Sequence, residues 1–180
     1  LSVQVHPHDE HARFLALGDA PKTECWYVLD AGPESVLYHG LRPGVDAATF
    51  AARASGPGVV ELLERHRVRA GDFVFVPGGT VHAIGAGIAL AEVQQTSDTT
   101  YRLYDWGRLD DRGRPRATHV EAGLRVIRFG HEAAAPLRPA AVRSAVRRSG
   151  ASVIVHAAAA LPNRPSAHLR AVNVTGTHNV

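Results

Sequence analysis

The 180-residue sequence contains one cysteine, Cys25, one lysine, Lys22, and no methionine. A single cysteine excludes an intramolecular disulfide, which is typical of a protein in a reducing cytoplasm. The longest strongly apolar run, SVIVHAAAAL at 152–161, is too short to span a bilayer, and no basic segment followed by an apolar stretch marks a secretory signal. The sequence therefore predicts a cytoplasmic protein without a membrane partner.

Charge is low in density and nearly balanced. The 20 Lys+Arg and 17 Asp+Glu residues leave a formal net charge of +3. The densest basic run is RPAAVRSAVRRSG at 138–150. Its spacing favours a solvated helix face over a phosphate-binding surface, so we expect no nucleic-acid partner.

Short β-like runs dominate the first two-thirds of the sequence. They occur at 1–6, 24–29 and 35–41 and repeatedly between Val68 and Gln95, with glycine and proline at turn positions. Helical spacing is limited to a short stretch after Pro7, to 45–54 and to VVELLER at 59–65. This pattern favours a mainly β fold, either a barrel or two packed sheets.

The composition becomes rich in alanine and arginine near Ala133. From there a helical pattern is followed by a buried-strand pattern, which is typical of a βα unit. We therefore predict two units, one covering 1–134 and the other 135–180.

Two pairs of residues predict inward-facing polar groups. Gln4 and His6 share one face of a strand because side chains alternate, so QVH can offer two metal ligands. An exposed glutamine and an edge-strand histidine are the alternative. Lys22 and Glu24 share a face with Trp26, and buried charges require a partner or a metal. A Lys–Glu pair on the surface is the alternative there.

His82 follows the turn Pro77-Gly78-Gly79 on the returning strand of a predicted hairpin. A core histidine is the alternative to a ligand at this position. Together the candidates provide one amide oxygen, two imidazoles and one carboxylate: Gln4, His6, Glu24 and His82. This set suits Zn²⁺ in a site with an open position, and Fe²⁺ or Mn²⁺ are chemically possible.

Four motifs carry a family resemblance: LSVQVHPHDEHA, KTECWYVLD, GDFVFVPGGTVHAIGAG and AEVQQTSDTTYRLYDWGR. Together they resemble type I mannose-6-phosphate isomerases of the cupin superfamily over roughly residues 1–130. His8 departs from the family, which usually has an acidic residue there. The family also has a substantial segment before LSVQVHP, so the resemblance implies an N-terminally truncated cupin (jelly-roll) barrel.

The resemblance also implies a function. One zinc ion per chain would be held by the four candidate ligands, with Arg102 as the active-site arginine and Lys22 in the active site. The substrate would be a sugar phosphate, with mannose 6-phosphate and fructose 6-phosphate interconverted through an enediol. The alternatives are a non-catalytic sugar-binding cupin and an inactive fragment of a fused reading frame.

The C-terminal part, from about residue 137 to 180, resembles an internal piece of an NAD-dependent epimerase/dehydratase of the extended short-chain dehydrogenase type. VIVHAAA would be a strand and loop, and NVTGTHNV the start of the next helix. No glycine fingerprint precedes them, and a YxxxK pair is impossible with Lys22 as the only lysine. We therefore predict an incomplete α/β Rossmann-like fragment without dehydrogenase activity.

Overall fold

A computed structural model describes residues 1–141 and residue 144 of the chain. Within this part the strands are β1 (Val3–Val5), β2 (Glu24–Ala31), β3 (Val36–Leu41), β4 (Leu63–Arg67), β5 (Phe73–Val76), β6 (His82–Ile84), β7 (Ile88–Gln94) and β8 (Tyr101–Tyr104). The helices include α1 (Ala47–Ala51), α2 (Val120–Leu124) and two 3-10 helices, Asp9–Phe14 and Pro57–Leu62. None of the helices in these residues is long and apolar enough to cross a membrane.

The strands form two antiparallel sheets. The larger sheet has the order β4-β3-β6-β1-β8, and the smaller has the order β5-β2-β7. The prediction of a mainly β fold is confirmed. β1 lies between β6 and β8, so the first strand of the chain pairs with two strands from much later in the sequence, and β8 forms one edge of the larger sheet.

One apolar cluster joins the two sheets. It comprises Trp26, Val28, Val74, Val76 and Leu90 of the smaller sheet, Leu37 and Ile84 of the larger sheet, and Val68. Each of these side chains is buried. The sheets therefore pack face to face, and a polar side chain on either inner face is removed from water.

A second cluster covers the other face of the larger sheet. Val3, Val5, Leu63, Ala83 and Leu103 of the sheet, with Val81, pack there against Phe50, Ala54, Val59, Leu62, Val126 and Ile127. Val3 and Val5 therefore face this cluster, and Gln4 between them faces the smaller sheet, as strand alternation requires.

Gly78 allows the turn before β6 to lie directly on the chain that leaves β1. A Cβ at Gly78 would lie 2.3 Å from the Pro7 carbonyl oxygen and 2.6 Å from the His8 Cα. In the same turn the Gly79 N–H donates to the His6 carbonyl oxygen at 2.7 Å. This close approach holds His6 beside the start of β6.

The helical prediction for 59–65 was wrong at its C-terminal end. The 3-10 helix ends at Leu62, and β4 begins at Leu63 and pairs with β3. Strand pairing there replaces the local helical preference, because β3 offers an edge for residues 63–67. Short helices are present in the other two segments, at Ala47–Ala51 and Asp9–Phe14.

The last described residues return to the smaller sheet. Leu137 exchanges two backbone hydrogen bonds with Phe73 at the start of β5, at 2.7 and 2.9 Å. Arg138 pairs with the fully buried Asp72. Residues 137–138 thus contact β5 and the turn before it, whereas most of the predicted Rossmann-like unit at 135–180 lies outside the described residues.

Candidate metal centre

Three predicted ligands meet between the two sheets. His6 directly follows β1, Glu24 opens β2 and His82 opens β6. Their relative exposures are 1%, 3% and 1%, and one ligand atom from each lies within 4.8 Å of the others. Residues from both sheets therefore form one buried His–Glu–His group.

The two histidines point the same ring nitrogen at Glu24. His6 Nε2 lies 3.0 Å from Glu24 Oε1, and His82 Nε2 lies 3.9 Å from Glu24 Oε2. On the far side of each ring, His6 Nδ1 lies 2.8 Å from the Thr99 carbonyl oxygen and His82 Nδ1 lies 2.9 Å from the Thr80 carbonyl oxygen. A carbonyl oxygen only accepts, so Nδ1 carries the proton in both rings.

This arrangement leaves a buried lone pair on each Nε2. His6 Nε2 has no hydrogen-bond partner among the described residues, although a carboxylate oxygen of Glu24 lies 3.0 Å away. Two acceptors this close require a proton or a cation between them. Histidines that ligate metals in proteins donate their other N–H to a carbonyl or carboxylate in the same way. The group therefore fits a metal ion.

Gln4 borders the group. Its Nε2 lies 3.2 Å from His82 Nε2, and its Oε1 accepts from Ser2 Oγ at 3.1 Å. The two ends of an amide have nearly the same shape, so a 180° rotation would turn the oxygen toward the group. Gln4 can then offer the fourth ligand atom of the predicted set.

Lys22 is also buried, at 7% exposure, and its Nζ lies 2.8 Å from Glu24 Oε1. Lys22 and Glu24 are therefore a buried pair, and the alternative of a surface Lys–Glu pair was wrong. Burial raises the pKa of Glu24, but the adjacent His6 ring, the His82 ring and the hydrogen bond from Lys22 outweigh burial and lower the pKa to about 2. Glu24 is therefore a carboxylate at neutral pH.

Trp26 and Glu92 complete the surroundings of Glu24, and the sequence did not assign a role to either. The Trp26 indole N–H donates to Glu24 Oε2 at 3.2 Å and to Glu92 Oε2 at 3.1 Å. The Trp26 ring also lies edge-on to His82, with ring centroids 5.3 Å apart. Strand alternation predicted that Trp26 and Glu24 share a face, but it did not predict the hydrogen bond between them.

Arg102 lies in line with the metal ligands across the larger sheet. Gln4 pairs with His82 on one side and with Arg102 on the other, so the three side chains share a face. Arg102 Nη1 donates to the Ala117 carbonyl oxygen at 2.8 Å. Its Nε is buried and has no partner among the described residues. Arg102 thus keeps one donor free for an anionic oxygen.

An ion-paired turn holds the segment that contacts Arg102. Asp105, which directly follows β8, accepts two hydrogen bonds from Arg116, at 2.6 and 2.5 Å, and one from Arg108. The hydrogen bonds from Arg116 are the largest influence that lowers the pKa of Asp105 to about 2. The neighbouring Ala117 carbonyl is thereby fixed beside Arg102.

We expect the metal-free chain to lose stability as the pH falls from about 6.5 to about 4. Burial lowers the pKa of His82 to about 3 and that of His39 to about 4, from 6.5. In this pH window the unfolded chain binds protons that the folded chain excludes, so the free energy of unfolding decreases with decreasing pH. Urea unfolding midpoints across this range measure the effect, and a midpoint independent of pH would contradict it.

The fold and site together define a double-sheet β protein with a buried His–Glu–His group beside a lysine and an arginine. No family model matches the chain. It is 46% identical over 129 residues to a mannose-6-phosphate isomerase of Bacillus subtilis, covering 71% of this chain and 40% of that protein. It is 45% identical over 135 residues to a mannose-6-phosphate isomerase of Streptococcus mutans, covering 74% and 42%.

The fold is also similar to those of solved structures. The crystal structure of the mannose 6-phosphate isomerase from Bacillus subtilis matches with a TM-score of 0.68 at 34% identity, over 74% of this chain and 42% of that chain. A variant of phosphomannose isomerase from Salmonella typhimurium matches with a TM-score of 0.53 at 15% identity, which shows a likeness of fold alone. These matches support the resemblance seen in the four motifs. The chain spans about two-fifths of the length of the curated relatives it matches.

Proposed function

We propose that this chain carries the metal centre of a mannose-6-phosphate isomerase, which interconverts mannose 6-phosphate and fructose 6-phosphate. The observation that carries the proposal is the buried group of two imidazole nitrogens and one carboxylate within 4.8 Å. The proposal is further supported by the similarity of the chain, over about seven-tenths of its length, to proteins named mannose-6-phosphate isomerase.

The proposed metal is one zinc ion, held by His6, Glu24, His82 and Gln4. Zn²⁺ is commonly bound by histidine nitrogen and carboxylate oxygen, and its catalytic sites leave a position open for water or substrate. When bound, the ion would act as a Lewis acid that stabilises negative charge on a substrate oxygen.

The surrounding residues suit the conversion of an aldose phosphate to a ketose phosphate. In this reaction a proton moves between C2 and C1 through an enediol, and negative charge develops on an oxygen. The buried Nε of Arg102 is a preorganised donor for that oxygen or for the substrate phosphate. Lys22 provides a buried cation at Nζ, which can donate to an oxygen of the substrate.

Isomerisation of mannose 6-phosphate by the purified chain tests this function. We expect turnover by the zinc-loaded chain, loss of turnover after chelation and recovery when zinc is restored. Mannose without the phosphate is the control substrate, and we expect it to react poorly because Arg102 and Lys22 then lack an anionic partner. Binding of mannose 6-phosphate without turnover by the zinc-loaded chain would overturn the proposal in favour of a sugar-binding protein.

A further inference from the structure

The loop between the first 3-10 helix and β2 brings Lys22 to the metal centre without regular secondary structure of its own. The 3-10 helix ends at Phe14 and β2 begins at Glu24, so residues 15–23 lie in neither a helix nor a strand. Lysine has a flexible four-carbon stem, so the position of its Nζ depends on how firmly the backbone beneath it is held. The contacts of this loop with the rest of the chain therefore decide where Lys22 lies.

Both backbone polar groups of Ala20 in this loop are bound by side chains of one distant segment. The Ala20 N–H donates to Thr99 Oγ1 at 2.9 Å, and the Ala20 carbonyl oxygen accepts from Ser97 Oγ at 3.0 Å. Tyr101, two residues after Thr99, donates from its hydroxyl to Asp19 Oδ2 at 2.7 Å. Alternate residues of the segment 97–101 thus hold two adjacent residues of the loop.

Thr99 also contacts the metal centre, through its main chain. Its carbonyl oxygen lies 2.8 Å from His6 Nδ1 and accepts the proton of that ring. Thr99 is itself buried, at 6% exposure, so water competes little with its hydroxyl for the Ala20 N–H. One residue therefore joins a metal ligand, through its carbonyl, to the lysine loop, through its hydroxyl.

The link between Ala20 and Lys22 is short and stiff. Pro21 lies between them, and its ring fixes φ, so a displacement of Ala20 moves Lys22 as well. The Lys22 N–H donates to the Pro7 carbonyl oxygen at 2.9 Å, and Lys22 Nζ lies 2.8 Å from Glu24 Oε1. The contact at Ala20 thus helps to set the position from which the lysine side chain extends.

We propose that Thr99 is a positioning residue for Lys22, and that its hydroxyl holds the loop in the arrangement in which Lys22 Nζ faces the metal centre. The inference rests on the proposed function, because it concerns a lysine assigned there to the substrate. The two parts of Thr99 have separate roles. The carbonyl oxygen orients His6, and any residue type retains it, whereas the hydroxyl holds the loop, and only threonine or serine provides it in this position. Loss of the hydroxyl removes the acceptor of the Ala20 N–H.

The chain offers a direct measure of loop opening, because Lys22 is its only lysine. A lysine-specific endoprotease cuts the chain only after Lys22, and at low protease concentration the rate follows the population of molecules in which the loop is open. We expect Thr99→Val, which removes the hydroxyl and keeps the side-chain shape, to be cut about tenfold faster than the wild type. Thr99→Ser restores the hydroxyl and is expected to restore most of the protection. Equal cutting rates for Thr99→Val and the wild type would overturn the proposal.

Two controls separate loop opening from a general loss of stability. Thr100→Val removes the hydroxyl of the adjacent, half-buried residue and is expected to be cut at the wild-type rate. Val68→Ala weakens the apolar cluster between the sheets, whose members lie outside the loop, and is also expected to leave the rate unchanged. If Val68→Ala and Thr99→Val accelerate cutting equally, the hydroxyl contributes only to general stability and the proposal is wrong.

The isomerase assay gives a second reading. Zinc-loaded Thr99→Val is expected to have a kcat about tenfold below that of the wild type, because the lysine is misplaced. Its zinc content should not change, because His6 keeps its carbonyl partner. An unchanged kcat would overturn the positioning role. Absence of turnover by the wild-type chain would instead overturn the proposed function, and the cutting rates, which require no substrate, would still decide whether Thr99 holds the loop.

Discussion

Replacing Glu24 by glutamine is expected to lower zinc affinity by about 100-fold or more and to abolish isomerase activity at limiting zinc. Structural zinc sites with four ligands are worth about 10–16 kcal/mol in total, so one ligand accounts for roughly 3 kcal/mol. Glu24 is also the only anion in the group, and the substitution removes the carboxylate that lies 2.8 Å from the buried Lys22 ammonium. The loss is therefore electrostatic as well as geometric.

Competition with a chromophoric chelator measures this change. The matched control is Glu92→Gln, because Glu92 accepts from the same Trp26 indole N–H but does not belong to the His–Glu–His group. We expect Glu92→Gln to bind zinc nearly as tightly as the wild type. If Glu24→Gln also binds zinc at wild-type affinity, the ion is held elsewhere and the proposed centre is wrong.

Replacing Arg102 by glutamine is expected to lower kcat by about 10²–10³-fold while zinc content stays unchanged. This is the usual cost of removing one preorganised donor from a developing oxyanion. Arg102 shares the row of Gln4 and His82 but is not one of the proposed ligands, and its free donor is the buried Nε. Its contribution should therefore appear in catalysis and not in metal binding.

Arg102→Lys refines the result. Lysine keeps a positive charge but lacks the Nε donor and the planar guanidinium that contacts the Ala117 carbonyl oxygen. We expect activity between those of the wild type and Arg102→Gln. Arg112→Gln changes an exposed arginine and serves as the control for loss of charge. Activity of Arg102→Gln within twofold of the wild type would contradict a catalytic role for this residue.

The i, i+2 spacings in QVH and KTE predicted shared faces for Gln4 with His6 and for Lys22 with Glu24. These side chains do lie near one another, although His6 and Lys22 fall just outside β1 and β2. The spacings did not predict the orientation of the rings. That orientation depends on the Thr80 and Thr99 carbonyl oxygens, which any residue type could supply. The alignment of Arg102 with Gln4 depends on the register between β1 and β8, which the spacing within either strand does not determine.

Other features were missed for a different physical reason. The segment 63–65 has helical spacing, but pairing with β3 outweighs this local preference. Thr99 and Ala20 lie 79 positions apart, and no spacing within the sequence relates them. Their hydrogen bond is invisible until the loop before β2 is known to contact the segment before β8.

The strand order of the larger sheet also has a consequence for biosynthesis. β1 carries Gln4 and leads into His6, but its two neighbours, β6 and β8, are encoded much later in the chain. Protein synthesis adds roughly 5–20 residues per second, so several seconds pass between the synthesis of β1 and that of either partner strand. The last ligand, His82, follows Gln4 by 78 residues. All four ligands can therefore meet only after β1 to β5 have been synthesised, so the complete metal centre cannot guide the folding of these first strands.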